Sequence, residues 1–259
     1  MLYSCAVYIK AVEDIRFYTY EGEALHGLLF NILSKVDAKM ATKVHDSFDK
    51  KFTISNFMPF TQRRGKGKIL KNNKEYKFRI TFLDQDLYRN FIRYFLTFED
   101  DLLLNGVKII PQKILTTDER DSWCRETNFD QLLKSPPKRM VNIRFLTTTS
   151  FRLGERNIIL PIPESVFGSL LYKWEAANGP ELSLESSDLA DIDLNRYDIK
   201  SRLERFKSYV IKGFTGNCQF RLENLDKEKR REVLALARFG FYSGIGYKTT
   251  MGLGQVKIG

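Results

Sequence analysis

Between Glu21 and Val36 the apolar residues Leu25, Leu28, Leu29, Ile32, Leu33 and Val36 return every three or four positions, the spacing of a helix with one buried stripe. A strand precedes it at about residues 2 to 10. After it, Phe52 to Phe57 and Lys68 to Leu83 read as strands, with Asn72-Asn73 predicting a hairpin turn between Ile69-Leu70 and Tyr76 to Phe82. Leu87, Phe91, Tyr94 and Phe95 give a second helical face. Leu102 to Leu115 then reads as an extended pair turning at Asn105-Gly106. The order is β-α-β-β-α-β, a ferredoxin-like unit.

The pattern starts again after Ser135-Pro136-Pro137. Met140 to Thr149 and Arg156 to Leu160 are strand-like, and Pro163 to Ala177 carries Val166, Phe167, Leu170, Leu171 and Trp174 on one helical face. Ser208 to Leu222 supplies strands, Leu225 to Phe239 a second helix, and Gln255 to Ile258 the last strand. The expected fold is therefore α+β: two tandem ferredoxin-like domains, 1–135 and 138–259, the second carrying a C-terminal glycine-rich loop.

That loop lies in the last nineteen residues, Phe241 to Gly259, where Gly244, Gly246, Gly252, Gly254 and Gly259 surround Lys248, Thr249 and Thr250. Such a loop can offer backbone N–H groups to phosphate. It is not a P-loop, because Tyr247 separates Gly246 from Lys248, and Gly246 has no third glycine to complete G-x-G-x-x-G. The few residues after Gly254 also cannot form the helix that a nucleotide phosphate needs.

Charge points to a polyanion. The 259 residues hold 42 Lys and Arg against 32 Asp and Glu, a formal net charge of +10, with a sequence pI near 9.4. A surplus of this size fits a nucleic-acid-binding protein. It concentrates in Arg63, Arg64, Lys66, Lys68, Lys71, Lys74 and Lys77, and again in Lys200, Arg202, Arg205, Lys207 and Lys212. Taken alone, each run is first a solvated face.

Cys5, Cys124 and Cys218 match no metal or redox spacing and read as reduced thiols. Two histidines and three scattered cysteines do not build a zinc shell, so no metal and no cofactor is expected. Asp191-Ile-Asp193-Leu-Asn195 begins like an EF-hand loop, but Arg196 replaces the required glycine and Arg202 the closing glutamate; it reads as a solvated linker or helix face. Without a signal peptide or an apolar run of membrane length, the chain is expected in the cytoplasm and off the membrane.

The two histidines are the natural candidates for proton transfer near neutral pH. His26 and Phe30 stand four apart on the first helix, flanking its buried stripe. His45 lies beyond that helix, near Lys43, Lys50 and Lys51, cations suited to a phosphate.

Three stretches together resemble a known family: Gly27 to Leu33 through Val44-His45-Asp46 and Lys51 to Phe57; Arg144 to Arg152 with Pro163 to Trp174; and Val210 to Asn217 running to Ser243–Val256. The family is the CRISPR-associated repeat-specific endoribonucleases that process precursor CRISPR RNA, the sixth Cas-protein family of the RAMP superfamily. The resemblance spans nearly the whole chain and implies a metal-independent cut by the ribose 2′-OH, leaving 2′,3′-cyclic phosphate and 5′-OH ends. It places the family's catalytic histidine on His45 and its assisting lysine on Lys50 or Lys51. The family's helix tyrosine falls on Phe30, which has no hydroxyl, and His26 is the expected substitute. The expected RNA contacts are Gly244, Gly246, Lys248, Thr249, Thr250, Gly252 and Gly254 in the loop, with Arg63, Arg64, Lys66 and Lys68. The implied partner is CRISPR repeat RNA, precursor and mature, with other CRISPR effector subunits as further candidates. The competing reading is a related RAMP subunit that coats guide RNA without cutting it.

Overall fold

The computed structural model of the protein describes residues 1–59, 68–97 and 101–259. It divides into two compact units. The first comprises Met1–Glu126, Arg205–Tyr209 and Thr250–Gly252; the second comprises Thr127–Glu204, Val210–Thr249 and Leu253–Gly259.

In the first unit the elements are β1 (Leu2–Ala11), β2 (Ile15–Phe17), α1 (Gly22–Val36), α2 (Ala38–Asp46), β3 (Phe52–Ile54), β4 (Lys68–Leu70), β5 (Glu75–Phe82), α3 (Gln85–Thr97), β6 (Leu102–Leu104), β7 (Val107–Leu115) and β8 (Arg125–Thr127). The main sheet runs β3-β5-β1-β7-β6, with β8 also on β1. Its first four strands have the ferredoxin-like order, with β3 and β5, β5 and β1, and β1 and β7 antiparallel. Alternation dictates which side faces the helices. Cys5, Val7 and Ile9 of β1 join Phe78, Ile80 and Phe82 of β5 in one core with Leu25, Leu29, Ile32 and Leu33 of α1.

One expectation fails here. The Asn72-Asn73 turn exists, with Asn73 at φ 56°, but it does not close a hairpin: β4 pairs with β2 in a separate two-stranded sheet. Asp14 accounts for this, because its carboxylate accepts from Lys71 Nζ at 2.8 Å and from the Asn72 N–H at 2.9 Å, holding the turn beside β2. The helix expected over Glu21 to Val36 is present as α1, and a second helix follows it directly. Asp37 ends α1 in an extended conformation, and its Oδ1 accepts from the Met40 N–H at 2.9 Å, capping α2.

The second unit contains α4 (Phe129–Leu133), β9 (Met140–Thr149), β10 (Phe151–Leu153), β11 (Arg156–Ile158), α5 (Pro163–Ala176), β12 (Asp193–Arg205), β13 (Val210–Arg221), α6 (Lys227–Ser243) and β14 (Val256–Ile258). Its sheet order, β12-β13-β9-β14, repeats the ferredoxin-like arrangement. The boundary between units falls at Glu126/Thr127, ahead of Ser135-Pro136-Pro137. Asn128 caps α4 with a full capping box, and Ser135 Oγ accepts from Arg238 of α6, so this segment folds as part of the second unit.

The stretch expected as a linker is in fact β12, whose Asp193 accepts from Arg221 of β13 at 3.0 Å. Most of its side chains are exposed, so it lacks the alternation that marks a strand with one buried face. All three cysteines are free and buried; burial pushes the Cys124 thiol up to about 11 and the Cys218 thiol up to about 12. Among the described residues no helix is long and apolar enough to cross a membrane.

Glu232 is the polar anchor of the second unit. Its buried carboxylate accepts from the Ser183 N–H, the Ser183 hydroxyl and the Leu184 N–H at 2.8 to 3.0 Å. Replacing it with alanine strands these donors away from water. Glu232→Ala is expected to cost about 3 kcal/mol, read as a lowered urea midpoint at unchanged slope.

Candidate active site

His26 lies in the second turn of α1, partly covered, and its ring is packed on Phe30 one turn later at 4.9 Å between centroids. His45 comes to the same phenyl ring from α2, at 5.3 Å and 79° between planes. Both imidazoles therefore meet one aromatic side chain, although 19 positions separate them in the sequence. The Asp37 cap makes this possible by reversing the chain between the two helices.

Each imidazole is oriented by an oxygen acceptor. His26 Nδ1 donates to the Thr250 carbonyl at 2.9 Å, and His45 Nδ1 donates to Asp46 Oδ1 at 3.2 Å. A carbonyl or a carboxylate can only accept, so the proton of each neutral ring sits on Nδ1 and Nε2 is the basic nitrogen. The side chain of His45 is 67% exposed. A proton acceptor is thus presented to solvent at the end of α2.

The Thr250 carbonyl is held in place by close backbone approach. Gly252 has φ 88°, and a Cβ there would overlap Asn56 Oδ1; a Cβ on Gly22 would overlap the Met251 carbonyl oxygen. The Tyr20 hydroxyl donates to Asn56 Oδ1 at 2.6 Å and stands 3.1 Å from the Gly252 carbonyl. Ser55 and Gly252 form an isolated parallel bridge. Gly252 thus serves tight packing beside His26.

The lysines are placed differently. Lys50 Nζ donates to the Ser47 carbonyl at 2.9 Å, bracing the loop after α2. Lys51 lines a groove of about 280 Å³ with Lys43, Asp49, Asp84 and Asp86. Among the described residues no hydrogen bond joins Lys50 or Lys51 to either imidazole. Lys68, expected to contact RNA, is turned to a protein carboxylate: its ammonium pairs with the buried Glu21 at 3.0 Å and packs over the Phe57 ring. Arg63, Arg64 and Lys66 lie outside the described residues.

The glycine-rich loop of the second unit is not the open ring of N–H groups that its composition suggests. The N–H of Ile245 donates to the Gly254 carbonyl, that of Tyr247 to Ser150, and that of Gly254 to Thr148. Those of Gly246 and Gln255 go to the hydroxyls of Ser169 and Thr147. Lys173 Nζ, from α5, lies 3.0 to 3.3 Å from the carbonyls of Ser243, Gly244 and Gly246 and the Thr249 hydroxyl. Thr249 is consequently buried with its hydroxyl facing a lysine of the protein. Lys248 adopts φ 54°; its Nζ sits 5.3 Å from the Tyr247 ring, and the exposed Arg152 guanidinium lies 6.0 Å from the same ring.

Two family models match the chain. One, described as the CRISPR Cas6 N-terminal domain, covers residues 1–134, and the other, CRISPR-associated endoribonuclease Cas6, covers 143–256. The chain belongs to the Cas6 family. Over 126 residues it is 29% identical to the Cas6 endoribonuclease of Mycobacterium tuberculosis, a match covering 48% of this chain and 40% of that protein. Over 121 residues it is 29% identical to that of Streptococcus thermophilus, covering 45% and 49%. The matches thus span less than half the length of these curated relatives. A solved Thermus thermophilus Cas6 product complex is similar over 100% of both chains, at 26% identity and a TM-score of 0.83.

Sequence reasoning missed Lys173 in this Cas6 chain. Its signal was legible, since position 173 falls on the stripe of Val166 and Leu170, where a charged residue is out of place. Removal from water pushes the amine from 10.5 down to about 7, while the four oxygens around it favour the ammonium. With the folded value below the unfolded one, the unfolded chain binds the extra proton between those limits, so stability rises with pH across about 7 to 10.5. Lys173→Met is expected to flatten that rise, as measured by urea midpoints at pH 6.5 and 9.5 relative to the unsubstituted protein.

Proposed function

We propose that this protein cuts a CRISPR repeat RNA once within precursor transcripts, using the ribose 2′-OH as nucleophile and releasing 2′,3′-cyclic phosphate and 5′-OH ends. The observation that carries this reading is the convergence of His26 and His45 on Phe30, with each Nδ1 proton committed to an oxygen. The first step requires a base. His45 Nε2 takes the proton of the 2′-OH, whose oxygen attacks the adjacent phosphorus and forms the phosphorane. His26, protonated, delivers a proton from Nε2 to the leaving 5′ oxygen while the Thr250 carbonyl steadies the imidazolium.

RNA itself supplies proximity, because nucleophile and scissile phosphate share one ribose. The attack therefore calls for no activated water. Lys50 or Lys51 neutralises the charge that grows on the phosphorane oxygens, which requires the Lys50 amine to leave the Ser47 carbonyl when RNA is bound. A phenyl ring at position 30 has no proton to transfer. It supports this assignment as the hydrophobic support on which both imidazoles rest.

The Lys248–Tyr247–Arg152 cluster is assigned to the RNA backbone, since two cations beside one aromatic ring suit phosphates and a base together. Phosphate contacts position the strand without reading its sequence. Thr249 is left out of this contact set because its hydroxyl is engaged by Lys173.

Incubating the protein with CRISPR repeat RNAs in EDTA, and analysing the product ends, tests the reaction. Cutting is expected to persist in EDTA and to stop with a 2′-deoxy nucleotide at the cut site; cleavage of the deoxy substrate rejects the mechanism. His45→Ala is expected to lower kcat by roughly 10² to 10⁴-fold with RNA affinity nearly unchanged, and equal binding without cutting by the unsubstituted protein points instead to a guide-RNA coat. Lys248→Ala is expected to weaken binding and reduce the slope of log affinity against log salt by about 1, as followed by equilibrium titration at several salt concentrations.

A further inference from the structure

Phe48 is 90% exposed, more than any other large apolar side chain among the described residues. A ring left in water costs the burial that a phenylalanine ordinarily gains. Nothing about the surrounding backbone is loose enough to explain this. The Ser47 N–H donates to the Lys43 carbonyl, the Ser47 hydroxyl to the Asp49 carbonyl at 3.1 Å, and Lys50 Nζ back to the Ser47 carbonyl. The Lys51 carbonyl accepts from the Leu83 N–H at 2.9 Å. A loop bonded on both sides of residue 48 thus holds its ring out to solvent.

The neighbours state what could cover it. His45 lies three residues before Phe48, and the stretch 43–51 sets Lys43, Lys50 and Lys51 against Asp46 and Asp49, leaving it net positive. An uncovered aromatic ring in a net cationic stretch suits a strand that alternates phosphates with flat bases, and every base has a face on which an aromatic ring can stack. We propose that Phe48 is a stacking platform for one of the two bases flanking the scissile phosphate. By gripping that base it sets which phosphate reaches His45. This rests on the RNA-cutting reading above and adds to it the residue that fixes cut position.

The experiment is a cycle of two changes. Phe48→Ala, Phe48→Trp and the unsubstituted protein are compared on a repeat RNA that the protein cuts, and on two versions of it with an abasic nucleotide on either side of the cut. Phe48→Ala is expected to raise KM about tenfold or more and to spread cutting to adjacent phosphates, with kcat at the correct phosphate changed little; Phe48→Trp is expected to retain both. One abasic RNA should impose the same loss on the unsubstituted protein and no added loss on Phe48→Ala. An unchanged KM and cut position in Phe48→Ala, or losses that multiply on both abasic RNAs, overturn the proposal and leave the ring for a protein partner. If the unsubstituted protein cuts no repeat RNA, the cutting reading fails separately. Equilibrium binding of the same RNAs then decides on Phe48, since the paired loss must still appear there.

Discussion

The hydrogen bond from His26 Nδ1 to the Thr250 carbonyl ties the first helix of the chain to its last ten residues. A carbonyl offers only lone pairs, so this contact fixes the tautomer, and together with the Phe30 and Phe52 rings it sets the tilt of the imidazole. It can form only where backbone meets backbone at very short range, and that requirement explains the absence of a side chain at Gly22 and at Gly252. The Tyr20 hydroxyl and Asn56 close the same corner. A partner 224 positions away also means that His26 is oriented only after nearly the whole chain has been synthesised and folded.

Phe30 adds a second constraint. Hydrophobic contact places the second imidazole against the same phenyl ring on which the first is packed. One ring is oriented by a backbone carbonyl and partly covered, whereas the other is oriented by an aspartate and mostly exposed.

Legibility followed burial. The α1 stripe, the α3 face, the α5 stripe and the Asn105-Gly106 turn all place apolar or turn residues where packing demands them, and periodicity recovers them directly. Ferredoxin-like order could be inferred for both halves for the same reason. β12 escaped because its side chains are exposed on most positions and carry no period. The β2–β4 pairing escaped because Asp14 supplies it through two hydrogen bonds that leave no mark in hydropathy. The candidate site was legible in part. His26, Phe30 and His45 could be named from residue type and position, but their meeting depends on Asp37, a cap that reads as an ordinary polar residue. The glycines of the tail were visible, whereas their use was not: composition does not tell an N–H turned toward a ligand from one turned toward Ser150 or Thr148. Lys68 shows the same ambiguity for charge, since Glu21 rather than solvent or ligand receives it.

Asp37 has a geometric consequence of its own. It is at once the stop of α1 and the cap of α2, so the path from Phe30 to His45 is made of helical steps joined by one extended residue. Each residue in a helix turns the next by about 100°. The separation of the two histidines is therefore a matter of phase as much as of length: one residue gained or lost within α2 would swing position 45 about a quarter-turn away from the phenyl ring, however well the rest of the unit folded. Such a linkage makes the count of residues between Asp37 and His45 a geometric constraint in its own right.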